Sequence, residues 1–286
     1  YPHHPLDGMG HGHYLVYDPK TGEEVFEIMA RARHTAYPEF GAPAPASVAV
    51  LQSFIPEEEL FPPRPGTAWE SHHAFRAWDY QPDTWLAPST LERYFGPTES
   101  LEELVERGQY LQSAAYQCVY EAARRQKPYC SMALNWCLNE PWPTAANNSL
   151  LSWPCVPKPA LAVVTASCRP VLFSAVFAKL RWTQGELLEL DLWLLSDAPH
   201  ALPSLEVEVW LALGPEQNHL LTWNTRPQPA NQNQPGPTVR WQLGTGPGRW
   251  LEIELRCPQR PEYNSRYRLL YEQRHSQTTG IYSMNV

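Results

Sequence analysis

The period of the hydrophobic pattern changes partway along the chain. Up to about residue 157, stretches with apolar residues three and four apart alternate with short apolar runs; from residue 170 onward apolar and polar residues alternate singly. The first spacing buries one stripe of a helix and the second one face of a strand. In residues 23–33, Val25, Phe26, Ile28, Met29 and Ala32 fall on one face and predict a helix, preceded by a turn at Asp18-Pro19 and Gly22. His34 to Gly41 read as a short strand, which Pro43 and Pro45 cannot continue. The strongest helix spans 101–126, with Ser100 and Glu103 spaced as a capping box and Pro128 ending it. Residues 129–136 follow as a strand apolar on both faces, as in a parallel strand covered by helices. Residues 137–156 read as a loop, and Pro159 opens a helix over 159–167.

This first part therefore runs helix, strand, helix, strand, helix, the arithmetic of βα units. Between its helices, residues 56–98 form a proline- and Trp-rich connection. Its aromatics (Phe61, Trp69, Phe75, Trp78, Tyr80, Trp85) predict an ordered, packed excursion. The second part predicts strands at 171–178, 187–195, 205–213, 219–223, 238–243, 249–256 and 266–272, with a loop at 225–237. Seven short strands separated by turns point to an antiparallel β-sandwich. The chain divides, on this reading, at 169/170.

Composition narrows the function classes. Prolines number 30 in 286 residues, about twice the usual share, yet Pro plus Gly stays below the range of low-complexity chains. Hydrophobic residues at 43% supply a core. A net charge of −8 without a basic stripe argues against a nucleic-acid partner. No apolar run is long enough to cross a membrane as a helix. Twelve Trp and 14 Tyr supply flat faces that can stack on sugars, although most are expected in the core. The six cysteines include no Cys-x-x-Cys pair and are expected as buried free thiols. His3, His4, His11, His13 and the His72-His73 pair lack carboxylate or Cys partners at ligand spacing, so no metal and no cofactor is expected. Arg124-Arg125 and Glu57-Glu58-Glu59 read as solvated faces. Tyr1-Pro2-His3-His4 has no apolar signal region and reads as an internal cut.

Two carboxylates stand out. Glu39 ends an apolar strand; Pro38 fixes the backbone before it and Gly41 lets the chain turn away. A carboxylate at the C-terminal tip of a parallel strand is where barrel enzymes keep catalytic groups. Glu140 lies in Asn139-Glu140-Pro141-Trp142-Pro143, after the second strand, and invites a reading as a glycosidase acid/base.

Residues 36–63, from Ala-Tyr-Pro-Glu-Phe-Gly-Ala-Pro to Phe-Pro-Pro63, resemble the nucleophile region of family 2 glycoside hydrolases, most closely the β-mannosidase-like branch. Trp69-Glu-Ser-His-His73 resembles the loop that follows there, and residues 134–159 resemble barrel strand 8 and its loop. Arg169 to Ser174 is similar to the start of the family's C-terminal sandwich. This chain has Pro38 where Ser is common. The resemblance implies the C-terminal portion of a (β/α)8 TIM barrel over 1–169 and an immunoglobulin-like antiparallel β-sandwich over 170–286.

The activity implied is that of a retaining, exo-acting β-glycosidase with a carbohydrate substrate and no cofactor. Glu39 corresponds to the nucleophile, and Trp136 to the Trp that floors the sugar site. Trp142, His13 and His73 are expected to line the pocket. The family's acid/base precedes the nucleophile in the chain, so it is expected in an upstream segment of the same protein. Glu140 is the alternative acid/base. The competing expectation is a non-catalytic fragment, or a carbohydrate-binding or structural module without activity of its own.

Overall fold

In the computed structural model of the chain, residues 16–18, 21–76 and 85–274 are described. Helix α1 (Val25–Arg31) leads into β1 (Tyr37–Phe40) and the two-residue β2 (Ala44–Pro45). Short helices α2 (Val48–Gln52), α3 (Ala68–Ser71) and α4 (Pro88–Phe95) precede the long α5 (Leu101–Arg125). Then come β3 (Ala133–Asn135), the two-residue strands β4 (Ala146–Asn147), β5 (Leu151–Ser152) and β6 (Val156–Pro157), and helix α6 (Pro159–Ser167).

β1 and β3 pair in parallel, with α5 as their crossover. The βαβ unit expected from the sequence is therefore present. Among the described residues no closed barrel is found, and the parallel sheet has these two strands alone. Helix α5 is capped as the sequence predicts on one side only. Ser100 Oγ accepts from the Glu103 amide at 3.2 Å, while the Glu103 carboxylate accepts from the Glu99 amide at 3.1 Å rather than from Ser100. Its apolar stripe packs on β1, where the Phe40 ring meets Tyr116 and Tyr120 edge-on at 6.0 and 5.2 Å.

The strand expected at 129–136 is shorter. The amides of Tyr129 and Cys130 both bond the Gln126 carbonyl, so these residues still belong to the turn after α5. Nor is β3 covered on both faces: Met132 is 39% exposed and Leu134 51%. In the connection over 56–98, Trp69, Phe75 and Trp85 are buried and Phe61 packs on the core, while Trp78 and Tyr80 lie outside the described residues; the segment contains two helices, α3 and α4, that its prolines concealed.

Gly108 shows how tightly α5 seats this unit. A Cβ there would lie 2.5 Å from Pro45 Cδ on β2. Gly108→Ala is expected to lose about 1–3 kcal/mol by overpacking, although alanine favours a helix by about 1 kcal/mol. Urea unfolding of the variant checks this; a gain in stability would mean that β2 yields freely.

The remaining strands form two packed sheets. They are β7 (Val171–Val176), β8 (Arg181–Thr183), β9 (Leu187–Ser196), β10 (Glu206–Leu213), β11 (Glu216–Asn224), β12 (Gln234–Gln242), β13 (Trp250–Arg256) and β14 (Ser265–Glu272). One sheet runs β11-β10-β13-β14-β8 and the other β12-β9-β7. All seven strands expected from the alternation are present. Two points differ. β8 is additional and pairs in parallel with β14, so this sheet is not wholly antiparallel. The loop expected at 225–237 ends early, because β12 begins at Gln234 and carries Pro235 and Pro237 across a register shift against β9.

Arg124, Arg125 and Lys127 do not form a solvated face. Arg124 ion-pairs with Asp197 at 2.8 Å, Arg125 donates to Ser174 Oγ at 2.7 Å, and Lys127 donates to the Ser196 carbonyl at 3.0 Å. These contacts fasten the end of α5 to the sandwich. All six cysteines are free, but of the burial expected only Cys257 shows it: Cys118, Cys130 and Cys137 are half-buried, and Cys155 and Cys168 are exposed.

Candidate functional site

The two parallel strands end side by side. The Trp136 amide donates to the Phe40 carbonyl at 2.7 Å, and Phe40 pairs with Asn135. Phe40 points toward α5, and Asn135 does too, accepting from the Tyr120 hydroxyl at 2.7 Å. β1 is irregular here, a step of three residues from Tyr37 to Phe40 facing a step of two on β3, and the half-buried Pro38 and Glu39 lie between the buried Tyr37 and Phe40, so Glu39, like Trp136 next to Asn135, leaves on the opposite face. That face is the one away from α5. Glu39 and Trp136 are both half-buried there, and the Trp136–Cys137 peptide is cis.

From Trp136 a series of rings runs across the site. Trp136 lies 5.7 Å from Trp85, Trp85 6.3 Å from His73, and His73 6.4 Å from Trp142. Trp142 stacks on His72 at 5.7 Å with an interplanar angle of 23°, and His72 packs on Phe54 at 4.5 Å. Consecutive histidines thus hold Trp142, one stacked and one edge-on. The backbone supports this arrangement. His72 Nδ1 donates to the Pro143 carbonyl at 2.7 Å, and the Ala145 amide donates to the His72 carbonyl at 2.7 Å. His73 sits at a φ of 74°, a left-handed conformation costing about 1–3 kcal/mol that tight surroundings must offset. Burial pulls the His73 imidazole below its ordinary value, with the Glu140 carboxylate opposing the shift. Trp142 remains 40% exposed, leaving a flat indole face open to a ligand.

Glu140 is placed differently from Glu39. It is 3% exposed. Its Oε2 accepts from Asn147 Nδ2 at 3.1 Å and its Oε1 from the Ser149 hydroxyl. Both carboxylate oxygens are therefore engaged within the protein. Of the residues singled out from sequence, the structure joins Trp136, His73 and Trp142 in one series of rings and sets Glu39 on the same sheet face as Trp136. His13 lies outside the described residues. Sequence reasoning missed Phe54, His72 and Trp85 as parts of this series; the aromatic density of residues 56–98 was the available signal for His72 and Trp85, and Phe54 lies just before it. Among the described residues, no group of three or more His, Cys, Asp or Glu side chains could hold a metal ion, and no helix is long and apolar enough to cross a membrane.

No protein-family sequence model matches the chain, and no curated protein matches it by sequence. Solved structures do resemble it. A β-D-mannosidase from Dictyoglomus thermophilum superposes with a TM-score of 0.64 at 17% identity, over 86% of this chain and 28% of its own. An exo-chitosanase from Amycolatopsis orientalis gives 0.58 at 14% identity, over 91% and 30%. The likeness is one of fold, and the chain spans less than a third of either enzyme.

Proposed function

We propose that this chain is the C-terminal part of a retaining, exo-acting β-glycosidase of the family 2, β-mannosidase-like type. The observation that carries the reading is the pairing of a carboxylate with an indole: Glu39 and Trp136 leave adjacent parallel strand ends on one sheet face, beside a run of aromatic rings. The fold it shares with a β-mannosidase and an exo-chitosanase supports it.

In this reading the Glu39 carboxylate attacks the anomeric carbon while the glycosidic oxygen leaves with a proton from a second carboxylic acid. Water, deprotonated by that same group, then attacks the anomeric carbon of the glycosyl ester and restores Glu39. Trp136 floors the sugar, and Trp142 and His73 wall it. The second carboxyl group belongs to a segment upstream of residue 1, which with residues 1–169 completes the barrel; residues 170–286 are the sandwich. Glu140 remains the alternative within this chain. The test is trapping: a 2-fluoro glycoside with a good leaving group should leave a glycosyl ester on the Glu39 peptide of the full-length protein, and labelling elsewhere would reject the assignment.

A second reading is that the 286 residues alone are non-catalytic, and one observation favours it. The apolar side chains of Met132 and Leu134 stand open at β3, where a barrel would continue. The isolated chain is expected to hydrolyse nitrophenyl β-mannoside, β-glucosaminide and β-galactoside no faster than buffer. Robust turnover would mean that Glu140 or another carboxylate of this chain completes the pair.

A further inference from the structure

A buried lysine joins the two loops that leave the catalytic strands. Lys158 lies at the N-terminal end of α6 and is 3% exposed. Its Nζ donates to the Ala44 carbonyl at 3.2 Å and to the Asn147 carbonyl at 3.0 Å. Ala44 is on β2, five residues after Glu39. Asn147 is on β4, five residues after Trp142. The two strands pair directly, Ala44 opposite Asn147. From the other side, Gln112 of α5 donates to the Ala42 carbonyl at 2.8 Å and the Ser149 carbonyl at 3.3 Å, spanning the same two segments.

A cation at a helix N-terminus gains nothing from the helix dipole, and burying an ammonium is costly unless it is compensated. The compensation here comes from the loop itself. Glu140 shares Asn147 with Lys158: it accepts from the Asn147 side chain while Lys158 donates to the Asn147 carbonyl. We propose that Lys158 is a positioning residue, its buried ammonium pinning the segment that leaves the Glu39 strand to the loop that presents Trp142, with Glu140 as its counter-ion.

Burial pulls the Lys158 ammonium down to about 8 from 10.5, against the upward pull of Glu140 and Cys137. The other titratable groups near the pair are His73, which feels Glu140, and Tyr116 of α5, whose hydroxyl bonds the Asn148 carbonyl. The proposal gives Glu140 a role other than proton donor to substrate. It rests on the glycosidase reading for the meaning of the site, but its test uses no sugar and no turnover, so the two can fail separately.

The test compares Lys158→Met, Glu140→Gln and the double variant in the 286-residue protein. Amide exchange in Lys158→Met should rise at least about ten-fold in segments 42–47 and 144–150 and stay unchanged in α5 and the sandwich. Each single variant should lower the urea midpoint, and the double should recover more than half of the Lys158→Met loss. The His73 ring resonance should titrate lower in Glu140→Gln, which reports that Glu140 is charged in the folded protein and able to act as the counter-ion. If the single variants do not fold, the Lys158 side chain in the unaltered protein can be titrated by NMR. Resonances of segments 42–47 and 144–150 that shift with the Lys158 titration support the proposal, and segments that do not respond to it overturn it. Additive midpoints, uniform exchange or an unmoved His73 would overturn it as well.

Discussion

Glu39→Gln in the full-length protein is expected to reduce kcat by about 10⁴-fold or more while sugar binding is retained. Glutamine matches the carboxylate in shape, so the half-buried position at the end of β1 keeps its packing. It cannot form a glycosyl ester, so the first step loses its nucleophile. A smaller residue makes the result more specific. Glu39→Ala leaves room for azide, which should attack from the nucleophile's side and release an α-glycosyl azide. Loss of the acid/base would yield a β-glycosyl azide instead, because azide would then act on the ester already formed. Kinetics with nitrophenyl glycosides and the configuration of the azide product check both points. Hydrolysis by Glu39→Gln near the wild-type rate would remove Glu39 from the chemistry.

The parts of this fold legible in the sequence are those whose burial imposes a period. α5 announces itself because its stripe from Leu101 to Ala123 must face β1, α1 and α6 over 25 residues. The burial of β10 alternates from end to end and that of β9 alternates up to Leu194, because each has one face in the sandwich core; Leu194 to Ser196 are buried in succession. Elements held by single contacts left no such trace. β8 is three residues long, joined to the sheet through the end of β14. The first residues of β12, before the strand expected from 238, were hidden by Pro235 and Pro237, which the register shift against β9 accommodates. Gly236 fits there because a Cβ would lie 2.8 Å from the Trp223 ring.

The site divides in the same way. Glu39 stood out because Pro38 and Gly41 bracket it at a strand end, whereas Trp136 was singled out only by the family resemblance. Lys158 was not, because nothing local distinguishes a lysine that reaches inward to two carbonyls from one in water. Arg124, Arg125 and Lys127 matched the charge expected at a helix C-terminus, so their attachment to Asp197, Ser174 and Ser196 was invisible until the sandwich was in place.

That attachment has an acidic centre, and Glu121→Leu is expected to destabilise the protein by about 3–5 kcal/mol. Glu121 is 2% exposed. Its carboxylate accepts from Ser174 Oγ at 2.5 Å, from the Tyr267 hydroxyl at 2.7 Å and from Gln117 Nε2 at 3.2 Å. Arg125 Nη1 lies 3.8 Å away. Leucine would remove the shared acceptor and leave a half-buried guanidinium facing two hydroxyls. A glutamine side chain would keep the shape and one acceptor, so Glu121→Gln should cost less. Burial raises the Glu121 pKa above 4.5, with Arg125 and the hydrogen bonds from Ser174 and Tyr267 opposing it. Above 4.5 the folded protein therefore holds a proton that the unfolded chain has lost. This contribution is complete below 4.5 and fades as the pH rises through the folded pKa. Wild type should thus lose stability relative to Glu121→Gln as the pH rises from 4.5. Urea midpoints of the three proteins, taken from pH 4.5 to 7, test both size and sign. A difference that is flat with pH would mean that Glu121 is ionised throughout, held by Arg125 more strongly than burial opposes it.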